Sequence, residues 1–345
     1  MVKVHSLFLD LNWELINLLS EIDRFDSAWA SIERKEGHSL KELKSIATVR
    51  SVGASTRIEG SKLSDAEVDI LLKNLDISKL TERDEQEVAG YFEVFDLIGE
   101  YFHEIPVSEN SLNNLHNQLL KYSTIDHWHK GGYKQTSNSV QAHLPDGTNQ
   151  IIFRTTEPGI ATEEAMRSMM EWYQDENVIH PLIKCAIFCY EFVTIHPFQD
   201  GNGRLSRLIA SLLLLKHGYL WIQYISLEHE IEIQKTEYYR VLRACQSQRP
   251  EEDTTAWVLF FLRALKNVHN SLLTKLNLNK SENGINHRNA KVLAIIESNP
   301  GIKSSEIARK MGISIPTTKR ILVDLLDKKL IEKQGLGPGV NYSIL

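Results

Sequence analysis

Cysteine is scarce in this chain, with three residues in 345, and two of them, Cys185 and Cys189, fall at helical spacing in an apolar run. Three cysteines cannot build a disulfide framework. No paired Cys/His set with zinc spacing accompanies them, so they read as small buried hydrophobes. Long hydrophobic runs are missing too: no window of about 18 apolar residues exists, and the opening Met-Val-Lys-Val-His-Ser lacks a secretory pattern. The expectation is a cytoplasmic chain with no membrane partner. Neither Gly-x-x-x-x-Gly-Lys nor a Gly-x-Gly-x-x-Gly strand-to-helix fingerprint occurs, which argues against a Walker-type or dinucleotide-binding enzyme. Internal repeats and low-complexity tracts are also absent.

What is present is an ordinary globular composition, 42% hydrophobic and 24% charged, in a chain long enough for one large core or two to three domains. The formal net charge of -6 gives no overall reason to expect nucleic acid or an anionic membrane, but the charge is unevenly spread. From Ile285 onward there are ten Lys+Arg against five Asp+Glu, or +5, which leaves 29 against 40, or -11, for the rest. The C-terminal piece is electrostatically a different object.

The chemistry concentrates in residues 196–207, His-Pro-Phe-Gln-Asp-Gly-Asn-Gly-Arg-Leu-Ser-Arg, a polar turn between two apolar segments. His196 is a potential general base. Gly201 and Gly203, around Asn202, allow successive backbone N–H groups to point into one concavity, and a helix starting near Gly203 adds the positive end of its dipole. Arg204 and Arg207 would lie on one face of that helix, where planar guanidinium forks can grip phosphate oxygens. Asp200 is a hard oxygen ligand of the kind Mg2+ accepts when nucleotide phosphates complete its shell. Phe198 suits a packing role in the loop.

The remaining pattern is nearly all helical. Apolar spacing predicts a helix over residues 10–35, and the Ser-x-x-Glu of Ser39 and Glu42 predicts a second from Ser39 towards Thr56. That helix closes on Ser55-Thr56-Arg57-Ile58-Glu59-Gly60, with glycine as the terminator. Glu59 is either a solvated charge or, being disfavoured by the helix dipole, the partner of a cation. Ser64 and Glu67 form another capping box, residues 76–87 make a polar connection, and helices follow over 88–102 and 112–122. The second of these contains His116, readable as packing or as catalysis. Residues 138–143 and 150–155 flank Asp146-Gly147, a hairpin signal, and make the only β-element expected before the C-terminus. Helices are expected over 162–173, from Pro181 into the 196–207 turn, over 228–245 and over 254–276. The body should hold about eight to ten helices and one hairpin flap.

Residues 277–286 read as a polar linker. Beyond it come helices over 290–298, over 305–311 to Gly312, and from Ser314 to about residue 328, then strands over 330–334 and 340–344 around Gly-Leu-Gly-Pro-Gly. Three helices and a hairpin have the plan of a winged helix-turn-helix. Thr317, Thr318, Lys319 and Arg320 would occupy the exposed start of its recognition helix, with Ile321, Leu322, Leu325 and Leu326 packed inward. DNA contact is one reading, and a protein-docking or homodimer-forming module is the other, because +5 is modest for tight DNA binding. The predicted organisation is a helical region over 1–105, a catalytic core over 106–276, a linker over 277–286 and a winged helix over 287–345.

The 196–207 stretch resembles the signature of the Fic family, His-x-Phe-x-(Asp/Glu)-Gly-Asn-Gly-Arg-x-x-Arg, at every defined position, and similarity extends from roughly residue 110 to residue 265. Ser55 to Gly60 resembles the inhibitory motif (Ser/Thr)-x-x-x-Glu-(Gly/Asn) of Fic proteins that carry it N-terminal to the core. The resemblance implies a mainly α Fic helical core with a hairpin flap and transfer of AMP from ATP to a protein hydroxyl, with pyrophosphate released. It implies His196 as general base, Asp200 on Mg2+, and Gly201, Asn202, Gly203, Arg204 and Arg207 on the phosphates. Glu59 would pair with Arg207 and keep it from the γ-phosphate, with Ser55 and Gly60 completing the inhibitory motif. The flap would pair with an extended target segment. Lys134 stands where many relatives carry arginine after a Gly-x-aromatic pattern, and Tyr238 and Tyr239 lie on a helix that in relatives borders the adenine pocket but here could equally be core. The implied partners are ATP and a protein substrate that can be the chain itself. Some relatives use the glutamate to remove AMP, and the direction is not readable from sequence.

Overall fold

A helix that is apolar on every side has to be enclosed, and Pro181–Ile195 is one: every residue from Leu182 to Ile195 is buried. This helix and the equally enclosed Asn202–Lys216 pack against each other and place the 196–201 turn at one end of the pair. In the computed structural model, residues 2–5, 7–143, 149–283, 292–293, 295–296, 299–327, 330–335 and 340–344 are described. The chain divides into two units, Met1–Leu272 and Leu273–Leu345.

In the first unit a short antiparallel hairpin, β1 (Val2–Val4) and β2 (Leu7–Leu9), precedes α1 (Trp13–Ile58), α2 (Asp65–Lys73), α3 (Arg83–Tyr101) and α4 (Glu109–Leu119). The hairpin β3 (Ser139–His143) and β4 (Asn149–Arg154) leads to α5 (Ile160–Asp175), α6 (Pro181–Ile195) and α7 (Asn202–Lys216). Then come α8 (Leu227–Ile233), α9 (Lys235–Gln246) and α10 (Thr255–Asn283), the last of which runs on past Leu272, where the unit ends. Helix α5 packs on α6, while α1, α3 and α4 pack on α7. Each fully buried Leu, Ile or Phe in that packing contributes roughly 1.5–3 kcal/mol.

Local chemistry explains the ends. Asn12 caps α1 by accepting from Leu15 N at 3.0 Å, Ser64 and Glu67 form the expected capping box on α2, and Pro181 occupies the first turn of α6. Gly60, at φ 113, ends α1: its N–H donates to Arg57 O and that of Ser61 to Thr56 O, both at 3.1 Å.

Several expectations are corrected. Helix α1 is continuous over 46 residues, with no new start at Ser39. The buried stripe Leu15, Leu18, Ile22, Phe25, Trp29 resumes at Leu40, Leu43 and Ala47. The eleven-residue step from Trp29 to Leu40 is about three turns, so the face stays in phase, and extending a formed helix costs less than nucleating a second. The 139–154 hairpin is not alone, because β1 and β2 pair at the N-terminus and Phe8 bonds across to residues 252 and 254. The predicted helix over 228–245 is two helices divided at Gln234. Residues 277–283, read as part of a polar linker, are helical and continue α10. Asp146-Gly147, residues 284–286, most of 290–298 and the glycine turn beyond Gly335 lie outside the described residues.

The second unit has β5 (Ile302–Lys303), α11 (Ser304–Met311), α12 (Ile315–Asp327), β6 (Ile331–Gln334) and β7 (Asn341–Ile344), with sheet order β5-β7-β6. Its core gathers Ile307, Ile321, Leu322, Leu325, Ile331 and Tyr342 among others, with Leu326 partly buried against them. Lys319 and Arg320 are exposed as expected. Thr318 is not: it is fully buried, and its hydroxyl donates back to Ser314 O at 3.1 Å, which turns it inward.

Helix α3 touches α4 through backbone at Gly90, where an added Cβ would lie 2.1 Å from Leu119 O. Gly90→Ala should therefore destabilise by about 1–3 kcal/mol through overpacking, even though alanine is by itself about 1 kcal/mol better in a helix. Gly99→Ala on the same helix, with its nearest neighbour at 4.0 Å, should be neutral or stabilising. Urea unfolding midpoints of the two variants check this, and equal stability of both would contradict it.

Candidate functional site

The turn between α6 and α7 is built by residues whose side chains are spent on its own backbone. His196 ends α6 in the left-handed region at φ 54, and Gly201, at φ 78, opens α7. Asn202 closes the loop from both sides, accepting from Phe198 N at 2.9 Å and donating to Phe198 O at 2.8 Å. Its side chain is thereby committed, so Asn202 can offer an anion only its backbone N–H. The first N–H groups of α7 have no partner four residues back, as at any helix start.

His116, of α4, holds the loop from beneath. Its ring stacks on Phe198 at 3.8 Å, Nδ1 accepts from Gly131 N at 2.9 Å, and Nε2 faces Asp200 O at 3.0 Å. A carbonyl can only accept, so Nε2 carries the proton. Burial pushes the ring pKa down to about 4, which keeps this neutral tautomer in place. His116 is therefore a packing and loop-holding residue, the first of its two sequence readings, and Phe198 is fully buried as expected.

His196 differs in having a ring nitrogen to spare. Its Nδ1 faces Val193 O at 3.3 Å, which assigns the proton to Nδ1 and leaves the Nε2 lone pair available. Burial lowers its pKa to about 4, with the Lys134 cation adding to the effect and Glu59 and Asp200 opposing it. The side chain lines a cavity of about 220 Å³ together with Glu59, Asp200, Gly201–Arg204 and Arg207. The rest of the lining comes from Val193 and from α9, where Tyr238, Tyr239, Leu242, Arg243 and Gln246 face the space. Tyr238 satisfies both of its readings, since it lines the cavity and also packs on Trp257 and Phe260 at 5.5 and 5.8 Å.

The two arginines of the turn are not interchangeable. Arg207 is 3% exposed and held by the end of α1: Nε donates to Ser55 Oγ at 2.8 Å, and one terminal nitrogen donates to Ser55 O at 2.9 Å and to Glu59 Oε1 at 2.8 Å. Burial works against its charge, but the Glu59 carboxylate together with Tyr238, Tyr91 and Tyr239 outweighs that and holds its pKa above the ordinary value. Glu59 lies so close to Gly203 that a Cβ there would sit 2.3 Å from its oxygen. Only glycine lets that carboxylate rest on the start of α7.

Arg204 instead bridges Asp200 at 3.1 Å and Glu87 of α3 at 3.2 Å. Burial alone would raise the Asp200 carboxyl, but Arg204, the Gly201 N–H and Arg83 bring it below the usual carboxylate range. It is thus an ionised oxygen donor facing the cavity. Among the described residues no group of three or more His, Cys, Asp or Glu side chains could hold a metal by itself. A cation here would depend on Asp200 and on oxygens brought by a ligand, which is how Mg2+ commonly binds with phosphates.

The structure also brings in residues that sequence reasoning passed over. Arg83 lies 3.6 Å from Asp200 and bonds Glu87, so α3 supplies charge to the turn from a stretch read as a polar connection. Arg57 pairs with Glu232 of α8 at 2.6 Å and with Asp65 at 2.9 Å, while Lys235 caps the last carbonyl of α1, Ile58 O, at 2.7 Å. These contacts tether the end of α1 where Glu59 meets Arg207. Their only sequence signal was local, the last-turn position of Arg57 in α1. The three cysteines are all free and buried. No described helix is long and apolar enough to cross a membrane.

Comparison with known proteins agrees with this geometry. Residues 106–214 match the Fic/DOC family model and residues 285–335 the MarR family model. The chain is 26% identical over 209 residues to a Drosophila melanogaster protein described as "Protein adenylyltransferase Fic", an alignment covering 58% of this chain and 39% of that protein. The chain therefore spans about two fifths of the length of the curated relatives it matches. Its fold is similar to that of a Fic family protein from Desulfovibrio desulfuricans G20, with a TM-score of 0.68 at 23% identity over 97% of both chains. A Fic domain containing signaling protein from Bacteroides thetaiotaomicron VPI-5482 gives a TM-score of 0.57 at 25% identity, covering 74% of this chain and 94% of that one. With the loop, the cavity and these matches in agreement, the chain carries a Fic domain of the Fic/DOC family at residues 106–214, followed by a MarR-family winged-helix domain at residues 285–335.

Proposed function

We propose that this chain is a protein adenylyltransferase that moves AMP from ATP to a Ser, Thr or Tyr hydroxyl of a protein and is restrained by Glu59. The observation that carries the reading is the engagement of Arg207 by Glu59 and Ser55 inside the cavity that also presents the free His196 Nε2. In the forward reaction His196 Nε2 takes the proton from the target hydroxyl as its oxygen attacks the α-phosphorus. The bond from that phosphorus to the α,β-bridging oxygen breaks, and pyrophosphate leaves. The N–H groups at the start of α7 stabilise charge on the α-phosphate, and Arg204 and Arg207 hold the outgoing phosphates. Asp200 would hold Mg2+, which when bound neutralises phosphate charge.

Arg207 can serve a phosphate only after Glu59 has left it. The carboxylate rests on Gly203 at the phosphate-binding helix start, so Glu59 and a γ-phosphate are competitors for one cation. The same carboxylate, beside the cavity, can orient water to remove AMP from a modified protein, and release of AMP from such a substrate by the wild type would assign that direction. A second reading, a DNA-binding regulator whose Fic site senses nucleotide or modifies the chain itself, is favoured by the exposed Lys319 and Arg320 on a MarR-type winged helix with its +5 charge. Duplex binding that weakens with salt and is lost in Lys319→Ala/Arg320→Ala supports it. No binding at low salt removes it.

A charge-assisted hydrogen bond contributes roughly 1.5–3 kcal/mol, so Glu59→Gly should raise self-modification by about tenfold or more. His196→Ala in that background should lower it by about 10²–10⁴-fold. Intact mass after incubation with ATP and Mg2+ checks both, and no gain in Glu59→Gly overturns the restraint. In Glu59→Gly the lowered His196 pKa keeps the imidazole neutral to below its ordinary 6.5, so transfer should persist through pH 6 and decline only as pH falls towards about 4. A pH–rate profile with its acid limb at or above 6.5 would contradict that environment.

A further inference from the structure

Lys134 is 2% exposed, and no carboxylate pairs with it among the described residues. A buried ammonium without an ion-pair partner is costly unless every N–H is satisfied. Here its Nζ donates to Thr155 Oγ1 at 2.8 Å, Asn138 Oδ1 at 3.1 Å and Ile195 O at 3.1 Å, one acceptor for each of its three protons. The first two acceptors are the feet of the β3–β4 hairpin, Asn138 preceding Ser139 and Thr155 following Arg154. The third is the last helical carbonyl of α6, immediately before His196, where a cation also meets the negative end of the helix dipole.

Neighbouring bonds join the same two segments. Lys134 N donates to Pro197 O at 2.8 Å, Asn138 Nδ2 to Phe198 O at 2.9 Å, and Thr136 Oγ1 to Gln199 Oε1 at 2.9 Å. Thr155 Oγ1 ties the feet to each other through Asn138 Oδ1 at 2.5 Å. Residues 195, 197, 198 and 199 thus all accept from the hairpin's stem, and Lys134 is the side chain that touches both feet and the loop.

We propose that Lys134 is a positioning residue that couples the hairpin to His196, so that an extended protein segment docked on the hairpin steadies the left-handed turn at His196 and sets the imidazole in its working orientation. This rests on the adenylyl-transfer reading, with the hairpin taking the target segment as an added strand. Mispositioning a reacting group by about 1 Å can cost about a hundredfold in rate, which makes the turn at His196 a sensitive place for such a tether. Burial lowers the Lys134 pKa to about 8, with Glu157 opposing the shift. The charged and titratable groups facing it are Glu157, from the segment after the hairpin, and His196 itself. Loss of one proton leaves one of the three acceptors unpaired.

The test uses the full chain with Glu59→Gly as parent. Lys134→Met should lower the rate of AMP transfer by about tenfold to a hundredfold, with binding of a fluorescent ATP analogue within about twofold of the parent. Lys134→Arg should recover part of the rate and lack the decline above pH 8 expected of the parent, an effect a merely structural role would not produce. Thr155→Val, which removes an acceptor at one foot, gives a milder loss and serves if Lys134→Met does not fold. Amide hydrogen exchange provides a readout free of activity: in Lys134→Met or Thr155→Val, exchange should speed up together in residues 149–155 and 196–199. Transfer within about twofold of the parent across pH 6–9, or faster exchange in only one of the two segments, overturns the coupling. A parent that transfers no AMP counts against the adenylyl-transfer reading, and the exchange result then decides the coupling by itself.

Discussion

A guanidinium removed from water needs a partner, and in this protein the partner of Arg207 is the end of a helix 46 residues long. Ser55 supplies a hydroxyl and a carbonyl, and Glu59 supplies the charge. Removing one member of a buried pair is costlier than the net value of the pair, because the other charge is left uncompensated. A ligand phosphate is among the few groups that can replace Glu59 without that cost. The architecture around α1 follows from this demand: Gly60 ends the helix on time, and Arg57 with Glu232 and Lys235 with Ile58 O hold that end in place. Gly203 leaves room for the carboxylate.

The signature turn is rigid for a related reason. Most of its polar side chains are used up inside the protein, Asn202 on Phe198, Arg204 on Asp200 and Glu87, and the supporting His116 on Asp200 O and Gly131 N. What remains free for chemistry is small and defined: one imidazole nitrogen, one carboxylate, the N–H groups at a helix start, and a guanidinium that can change partners. Preorganised groups of this kind need no reorientation when charge develops. Burial keeps both His116 and His196 neutral, but only His196 has its second nitrogen open to the cavity.

Sequence reading reached the turn because its information is local. Twelve consecutive residues contain the base, the anion-binding glycines and both arginines, and the inhibitory motif is a six-residue string. Caps at Ser64 and Pro181 were legible for the same reason. The single α1 was not, since Ser39 and Glu42 imitate a helix start while the phase of the buried stripe, which carries the helix through, emerges only when Trp29 and Leu40 are seen on one face. Arg83, Glu87 and Glu232 look like ordinary surface charges until folding sets them beside Asp200, Arg204 and Arg57. Lys134 drew attention only as a departure from a pattern, and its three bonds span residues 138, 155 and 195. Thr318 looked exposed by helical position, yet its backward hydrogen bond turns it into the core.

The central claim is that Glu59 and the terminal phosphate of ATP compete for Arg207, and the most direct measurement compares ATP with AMP, which lacks the β- and γ-phosphates. Calorimetric titration of both nucleotides into the wild type and Glu59→Gly, with Mg2+ present, should show ATP affinity rising by about tenfold or more while AMP affinity stays the same. An equal change for the two nucleotides, or no change for ATP, would contradict the competition.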